Sequence, residues 1–440
     1  MKTGKLLIAI GSTLLLSGIV LTAKTNTEKR LISRYEKQTP VKKPTTEEKP
    51  CVFMSVMGEQ SVENQSVNKT DAKVKIAIDK GEAWLGKAQN QDGGWGAGSH
   101  SNQGEMNPHA VSSDPATTAM ASMALYRMGY SINSGKYKQE LSNALQYLLN
   151  EVEKNKDNEF ITQIRGTQIQ TKLGQNIDAV LTLQFLNQII PTITDQKLAK
   201  KVEDAIQICV DKIEKSYDGN GKVSGAGWAG VLQSSFANSG LEQASKNKNI
   251  KVNKDKIDAA RKYQKDNYDT ERNTAKTEDG AGVMLYAVSS SVRGSAAEAK
   301  EAEDLLENAK ASGKIDKKAV MNKENLEKIG VSKEKASSYD VATKVYKAAK
   351  TQAMDNNVMN GFGNNGGEEF LSFLQTGESM MVKKDDDWKN WYDNVSGKMI
   401  KIQNDNGSWN GHHCITSPVF CTATSLLILT IENDIKSFQQ

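Results

Sequence analysis

The chain has few of the residues that build loop-rich or disulfide-bonded folds, with 7 prolines and 4 cysteines among 440 residues. So little proline argues against a loop-rich all-β design, and four cysteines are too few for a disulfide scaffold. An excess of one charge is also lacking, since 57 Lys and Arg stand against 53 Asp and Glu, for a net charge of +4. Because no basic stripe interleaved with aromatic residues is present either, the sequence does not indicate a nucleic-acid partner.

The composition is that of a soluble globular protein, with 38% hydrophobic and 25% charged residues. Between residues 71 and 434 apolar residues recur at helical spacing, which predicts roughly a dozen helices and no strand. Some are charged and amphipathic (195–215 and 297–310), whereas others are apolar and poor in charge (117–125 and 420–430). Half-exposed helices that alternate with buried ones favour a two-layer ring, because inner helices contact neighbours on several sides.

The N-terminus is expected to lie outside the fold. Two lysines precede an uncharged apolar run that ends at residue 23, and this pattern is typical of a secretory signal or a membrane anchor. Both alternatives place the protein outside the cytoplasm, either secreted or periplasmic or held by an uncleaved N-terminal helix. Membrane contact is then expected only through this segment. Residues 24–70 are rich in Lys, Thr, Glu and Asn and are interpreted as a disordered tether, and residues 435–440 as a tail.

Two similar units lie near the two ends of the predicted domain, QNQDGGW at residues 89–95 and QNDNGSW at residues 403–409. Their shared Gln-x-x-x-Gly-x-Trp pattern resembles the QW repeat of triterpene cyclases and the related repeat of protein prenyltransferase β subunits. The resemblance implies an all-α fold, an α/α toroid of six inner and six outer helices spanning residues 71–434. In such a ring, the Gln and Trp of each unit tie neighbouring helices together. A degenerate third unit ends at Trp228.

Two further stretches resemble a narrower group of proteins. They are GGEEFLSF at residues 366–373 and GHHCITSPVFCTA at residues 411–423. Both are similar to exported bacterial proteins known as prenyltransferase or squalene-oxidase repeat proteins, whose activity is unassigned. The resemblance therefore implies a fold and leaves the reaction open, since fold does not determine function.

The motifs of the best-known reactions on this fold are not matched. Class II terpene cyclases use an Asp-x-Asp-Asp acid, and the nearest match, three aspartates at residues 385–387, has the wrong spacing and suits a helix N-terminus. Protein prenyltransferases hold zinc with Asp, Cys and His, and the Asp-x-Cys part of that pattern is missing. Neither cyclase nor prenyltransferase chemistry is therefore predicted.

The best local constellation is the His412-His413-Cys414 run with Cys421 following seven residues later. Three alternatives remain open. His413 and a cysteine could bind zinc, Cys414 and Cys421 could form a disulfide, or both thiols could be buried and inert. The acid that would complete a zinc site comes from a neighbouring helix and is one of Asp114, Glu368 and Glu369.

The candidate catalytic residues are His413 and three acids. Glu368 and Glu369 open a predicted helix, where they either complement the helix dipole or act as a general acid or base at the mouth of a cavity. Asp114 is interpreted as the N-cap of another helix and could face the same cavity. The side chains expected to line this cavity or its rim are Trp95, Trp228, Trp409 and His412.

Two classes of function follow. The first is an enzyme whose site lies in the central cavity and acts on an isoprenoid or another apolar substrate. The second is a non-catalytic extracytoplasmic toroid that binds a small apolar ligand or a protein partner.

Overall fold

The computed structural model describes residues 71–225, 227–363, 365–381 and 386–432. The expected signal or anchor, the tether and the tail lie outside these residues. Within them, no helix combines the length and the apolar character that a membrane span needs.

The described residues form fifteen α-helices and one two-stranded antiparallel sheet. Four short 3-10 helices interrupt the connections, at His100–Asn102, Pro108–Ala110, Ile190–Thr192 and Glu278–Gly280. In chain order the elements are α1 Ala72–Lys87, α2 Pro115–Arg127, α3 Lys138–Lys154, α4 Gln168–Leu173, α5 Ile177–Ile189, α6 Gln196–Ser216, α7 Gly230–Ala244, α8 Lys254–Asp266, β1 Tyr268–Asp269, β2 Thr274–Ala275, α9 Met284–Ala311, α10 Lys323–Lys328, α11 Lys333–Ala353, α12 Asn356–Met359, α13 Gly367–Met381, α14 Asp386–Ile402 and α15 Pro418–Leu429.

Twelve of these helices form a closed double ring. In the inner ring, α2, α5, α7, α9, α13 and α15 each pack on the next, and α15 packs back on α2. In the outer ring, α1, α3, α6, α8, α11 and α14 pack against the inner helices and against one another. The predicted all-α fold, an α/α toroid of six inner and six outer helices, is therefore confirmed.

The two rings differ in the way that the sequence predicts. Every residue of α5 is buried except Gln188, and every residue of α7 is buried except Glu242. By contrast, α6 buries one stripe that includes Val202, Ile206 and Cys209 and leaves its opposite face in solvent. A helix that contacts the ring on one side needs only one apolar stripe, whereas an inner helix is enclosed on all sides.

The two Gln-x-x-x-Gly-x-Trp units act as clamps between outer helices. Trp95 Nε1 donates to Leu85 O at 3.0 Å, and Gln89 Nε2 donates to Glu140 O of α3 at 2.9 Å. In the second unit, Trp409 Nε1 donates to Met399 O at 2.9 Å, and Gln403 Nε2 donates to Ala77 O of α1 at 2.9 Å. The second clamp therefore ties the last outer helix to the first and closes the ring.

Each clamp depends on the glycine between its Gln and its Trp. Gly93 and Gly407 have φ of +87° and +96°, a conformation that L-residues with side chains rarely adopt. The tight turn brings the carbonyl of each glycine within 2.7 Å and 2.9 Å of Gln89 Nε2 and Gln403 Nε2, respectively. The spacing of the motif is thus explained by hydrogen bonding inside the unit and to the next outer helix.

Candidate functional site

The N-terminal ends of the inner helices meet at one face of the ring, which we call the mouth. In the first turn of α2, Ala116 N donates to Asp178 Oδ1 in the first turn of α5 at 3.0 Å. On the other side, Ile415 N, just before α15, donates to Glu368 Oε2 in the first turn of α13 at 3.3 Å. Helix N-termini carry a partial positive charge, so the mouth favours carboxylates and other oxygen-rich groups.

Asp114 and Asp178 form a buried acid pair beside the mouth. Asp114 accepts hydrogen bonds from Ala97 N and from both N and Oγ1 of Thr117, at 2.8 to 3.0 Å. Asp178 Oδ2 accepts from Gln170 Nε2 at 2.7 Å. Burial raises the pKa of Asp114 to about 6 and that of Asp178 to about 7, the charge of Asp114 adding to the second shift. Both acids are shielded from solvent and hold helix ends together, so Asp114 is placed as a structural cap.

Glu369 holds the loop that precedes α13. Its two carboxylate oxygens accept from Phe362 N and Asn365 N, both at 2.7 Å. Gly361 has a φ of +54°, and a Cβ added there would lie 2.7 Å from the Glu369 carboxylate, so only glycine lets the loop approach so closely. Glu369 therefore positions Phe362 and is occupied by backbone donors.

Glu368 lies next to Cys414 at the mouth. Burial raises the pKa of Glu368 to about 7, although the Ile415 N–H and the Lys172 charge pull it the other way. Burial also raises the pKa of the half-buried Cys414 thiol, as does the charge of Glu368, while neighbouring Lys172 lowers it. Tyr286, near the start of α9, is close enough to Glu368 and Cys414 for their charges to add to its raised pKa, which burial chiefly causes. Four different elements thus bring a thiol, an ammonium, a carboxyl and a phenol together.

The backbone at Cys414 is held in an unusual conformation. Its φ is +68°, in the left-handed region that residues with side chains rarely occupy. Gln103 Oε1 accepts from Cys414 N at 3.1 Å, and Gln168 Oε1 accepts from Thr416 N at 2.7 Å. Strained residues that several neighbours hold in place are frequent at functional sites. The structure therefore fixes the thiol at the mouth.

Exposed apolar side chains surround this cluster. Trp228 is 65% exposed, with Lys172 Nζ 4.2 Å from its ring centroid, and Phe362 is 59% exposed, with its ring 5.1 Å from that of His413. Met106, which is 42% exposed, lies on the loop that supplies Gln103. Five large hydrophobic residues of the described part of the chain are exposed, and these three lie at the mouth. Exposed apolar groups that gather at one place indicate a binding surface.

Of the three alternatives for this loop, the structure does not form the disulfide. Cys414 and Cys421 are both free thiols. Cys421 lies in α15 without exposed surface, and its Sγ donates to Ile415 O at 3.5 Å, whereas Cys414 faces Lys172 and Glu368.

The other predicted site residues lie in different surroundings. His412 is exposed, and His413 contacts Phe362. Among the residues that the structure describes, no three His, Cys, Asp or Glu side chains are grouped so that they could hold a metal ion. Trp95 and Trp409, expected at the cavity or rim, have no exposed surface and belong to the packed clamps, whereas Trp228 lies at the rim. In the three-aspartate run Asp385 lies outside the described residues, and α14 begins at Asp386.

Sequence reasoning missed Lys172, Gln168, Tyr286 and Phe362. Lys172 and Gln168 belong to the six-residue helix α4, which is too short to give a periodic signal. Tyr286 begins an apolar helix and resembles any core aromatic residue. Their convergence depends on closure of the ring, which no local pattern encodes.

A comparison with protein families agrees with the fold but matches only one part of the chain. Residues 55–168 match the sequence model of the squalene-hopene cyclase C-terminal domain. Among described elements, the match covers α1, α2, α3 and the first clamp, and it supports a relationship to the terpenoid cyclases for this part of the chain. Neither a curated protein nor a solved structure matches the chain.

Proposed function

We propose that this terpenoid cyclase-like toroid binds an isoprenoid or a similar apolar ligand with an anionic head group, and that the ligand lies at the mouth of the ring. The observation that carries the proposal is the position of two exposed aromatic rings, Trp228 and Phe362, beside Lys172 and the inner-helix N-termini. The aromatic faces offer apolar contact area, and Lys172 with the helix dipoles attracts an anion.

The mouth fits such a ligand better than a purely apolar one. Lys172 is itself only 4% exposed, because Trp228 covers it, so its charge acts in a partly desolvated setting. Glu368 carries less than a full negative charge near neutral pH, since its pKa is raised to about 7. A ligand head group at this point therefore meets the Lys172 charge, which Glu368 offsets only in part.

The packing deeper in the ring also supports a position at the mouth. Gln375 of α13 accepts from Ser235 Oγ of α7 at 2.8 Å and donates to Ser289 Oγ of α9 at 2.7 Å. These polar groups satisfy one another inside the ring. The exposed aromatic groups lie at the mouth, where a ligand reaches them from solvent.

The test is a titration with farnesyl diphosphate, farnesol and inorganic pyrophosphate, followed by tryptophan fluorescence and calorimetry. Of the 6 tryptophans, Trp228 is the strongly exposed one, so quenching on binding should disappear in Trp228→Phe while calorimetric binding persists. Trp228→Ala should weaken farnesyl diphosphate binding about tenfold. Lys172→Met should remove the preference for farnesyl diphosphate over farnesol.

Val341→Ala is the matched control, because Val341 is 43% exposed on outer helix α11. It should leave all affinities unchanged. If farnesyl diphosphate does not bind, or if Val341→Ala weakens binding as much as Trp228→Ala does, the proposal is wrong.

A second candidate is a non-catalytic toroid that binds a protein partner outside the cytoplasm. The observation in its favour is the exposure of Met106, Trp228 and Phe362 on one face, since solvent-exposed apolar patches also mark protein interfaces. A partner that wild type retains and Phe362→Ala loses, in a protein that does not bind farnesyl diphosphate, would favour this candidate.

A further inference from the structure

Cys414 lies beside Lys172 and Glu368, and its backbone is held at a φ of +68°. Burial and Glu368 raise the pKa of its thiol, so the thiol needs a general base in order to react. Cys209 and Cys421, by contrast, lie in the core without exposed surface. The half-buried Cys414 is thus the accessible thiol among the three free cysteines that the structure describes.

An unsatisfied donor lies beside the same loop. The Gln168 side chain has no exposed surface, and its Oε1 accepts from Thr416 N at 2.7 Å and Ser417 N at 3.1 Å. Its Nε2 is buried and has no hydrogen-bond partner. Gln168 lies one turn before Lys172 on the same face of α4, and its amide lies beside the loop that carries Cys414. A buried donor without a partner costs free energy, which a bound acceptor oxygen would recover.

From this arrangement we infer that the mouth is an acyl-transfer site, in which Cys414 attacks the carbonyl carbon of an activated ester or thioester with an apolar acyl chain. The inference rests on the binding site proposed above. Glu368 is the general base, and Lys172 with Gln168 Nε2 stabilises the oxyanion that develops on the carbonyl oxygen.

The proposed reaction needs no reactant other than the acyl substrate and water. The Glu368 carboxylate takes the thiol proton as the sulfur–carbon bond forms, and it returns that proton to the leaving alcohol or thiol as the carbon–oxygen or carbon–sulfur bond breaks. Water then attacks the acyl-Cys414 thioester, with Glu368 again accepting the proton. The products are a carboxylic acid and the free thiol.

The pKa of Glu368 suits a general base. A general base works best when its pKa is near the working pH, and burial raises the pKa of Glu368 to about 7. The titratable groups that face Cys414 are Lys172 from α4, Tyr286 from α9 and Glu368 from α13.

The experiment incubates the full-length protein with p-nitrophenyl butyrate and follows nitrophenolate release, intact mass and the labelled peptide. We expect up to one butyryl group per chain, on Cys414, when the reaction is quenched with acid before water hydrolyses the thioester. Cys414→Ser should abolish this label, and Glu368→Gln should slow acylation on the order of a hundredfold or more. It should also remove the rise of rate near pH 7 and leave only the rise at higher pH that ionisation of the Cys414 thiol gives. The matched control is Cys421→Ala, which removes a buried thiol from the same segment and should react as wild type does.

Three results would overturn the inference: label on residues other than Cys414, a rate no faster than that of a free small thiol, or an unchanged rate in Glu368→Gln. Prior alkylation of wild type with iodoacetamide gives a second test, since it should block butyrylation without a change of sequence. The experiments distinguish a failure of the acyl-transfer inference from a failure of the proposed ligand binding. Binding of farnesyl diphosphate without acylation refutes only the inference, and acylation without that binding refutes the proposed isoprenoid ligand.

Discussion

The buried pair Asp114 and Asp178 makes stability depend on pH in an unusual direction. The pKa of Asp178 is raised from 3.8 to about 7, mainly by burial and then by the charge of Asp114. An acid whose pKa is raised by folding is ionised first in the unfolded chain. Its contribution to stability is therefore present below about pH 4 and is lost as the pH rises towards 7.

Asp178→Asn removes that penalty and keeps the shape of the side chain. A shift of this size corresponds to roughly 4 kcal/mol. Part of this free-energy penalty remains in the variant, because Asp114 ionises more readily once residue 178 is neutral. The new Nδ2 also needs an acceptor, which Gln170 Oε1 can supply because it is buried without a hydrogen-bond partner. Turning the Gln170 amide gives up its 3.0 Å bond to Ile164 O, at a cost of about 1 kcal/mol.

We therefore expect Asp178→Asn to raise the free energy of unfolding by about 2 kcal/mol near pH 8 and to have no stabilising effect near pH 4. Urea denaturation at both pH values measures the difference. The control is Asp204→Asn, an acid on the solvent face of α6 whose side chain is 56% exposed. If Asp178→Asn is as destabilising near pH 8 as near pH 4, Asp178 is ionised and required in that form, and the reasoning fails.

Three other predictions concern the ring and its N-terminal segment. Gln403→Ala should lower the free energy of unfolding in urea by about 2 kcal/mol, because it breaks both hydrogen bonds that the Gln403 side chain makes in the second clamp. The control, Gln146→Ala, removes an exposed glutamine and should have little effect in the same titration. Arg127→Met should lower the free energy of unfolding by about 3 to 5 kcal/mol in urea or thermal denaturation, because Glu378 loses its ion-pair partner at 2.7 Å. The double variant Arg127→Met, Glu378→Met should recover most of this stability. Cell fractionation with N-terminal sequencing should find the chain outside the cytoplasm, either cut near residue 23 or held in the membrane, and an uncut cytoplasmic protein would contradict the predicted export.

Much of the ring could be predicted from sequence because its physical determinants are local. The Gln-x-x-x-Gly-x-Trp spacing encodes a turn and two hydrogen bonds, and helix burial follows from periodicity. One boundary was wrong. Residues 297–310 were expected to form a helix of their own, but α9 runs from Met284 to Ala311 without a break. Packing on both rings keeps Gly294 and its buried neighbours helical, which overrides the weak helix propensity of glycine.

The candidate site was only partly predictable. Glu368 and Cys414 could be named from their local motifs, and the structure brings them together. Lys172 and Gln168 could not, because they approach Cys414 only when α15 closes on α2. The choice among the three alternatives for Cys414 and Cys421 could not be made from sequence for a similar reason, since nearness in sequence does not reveal that Cys421 faces the core.

The most direct test of the central claim, a ligand site at the mouth, is hydrogen–deuterium exchange with and without farnesyl diphosphate. We predict slower exchange at residues 361–363 and 414–417, whose amides include those of Phe362 and Cys414, and unchanged exchange in outer helix α6. The same residues should show no protection with Trp228→Ala at equal ligand concentration. Protection confined to the outer ring, or none at the mouth when calorimetry shows that the ligand is bound, would contradict the account.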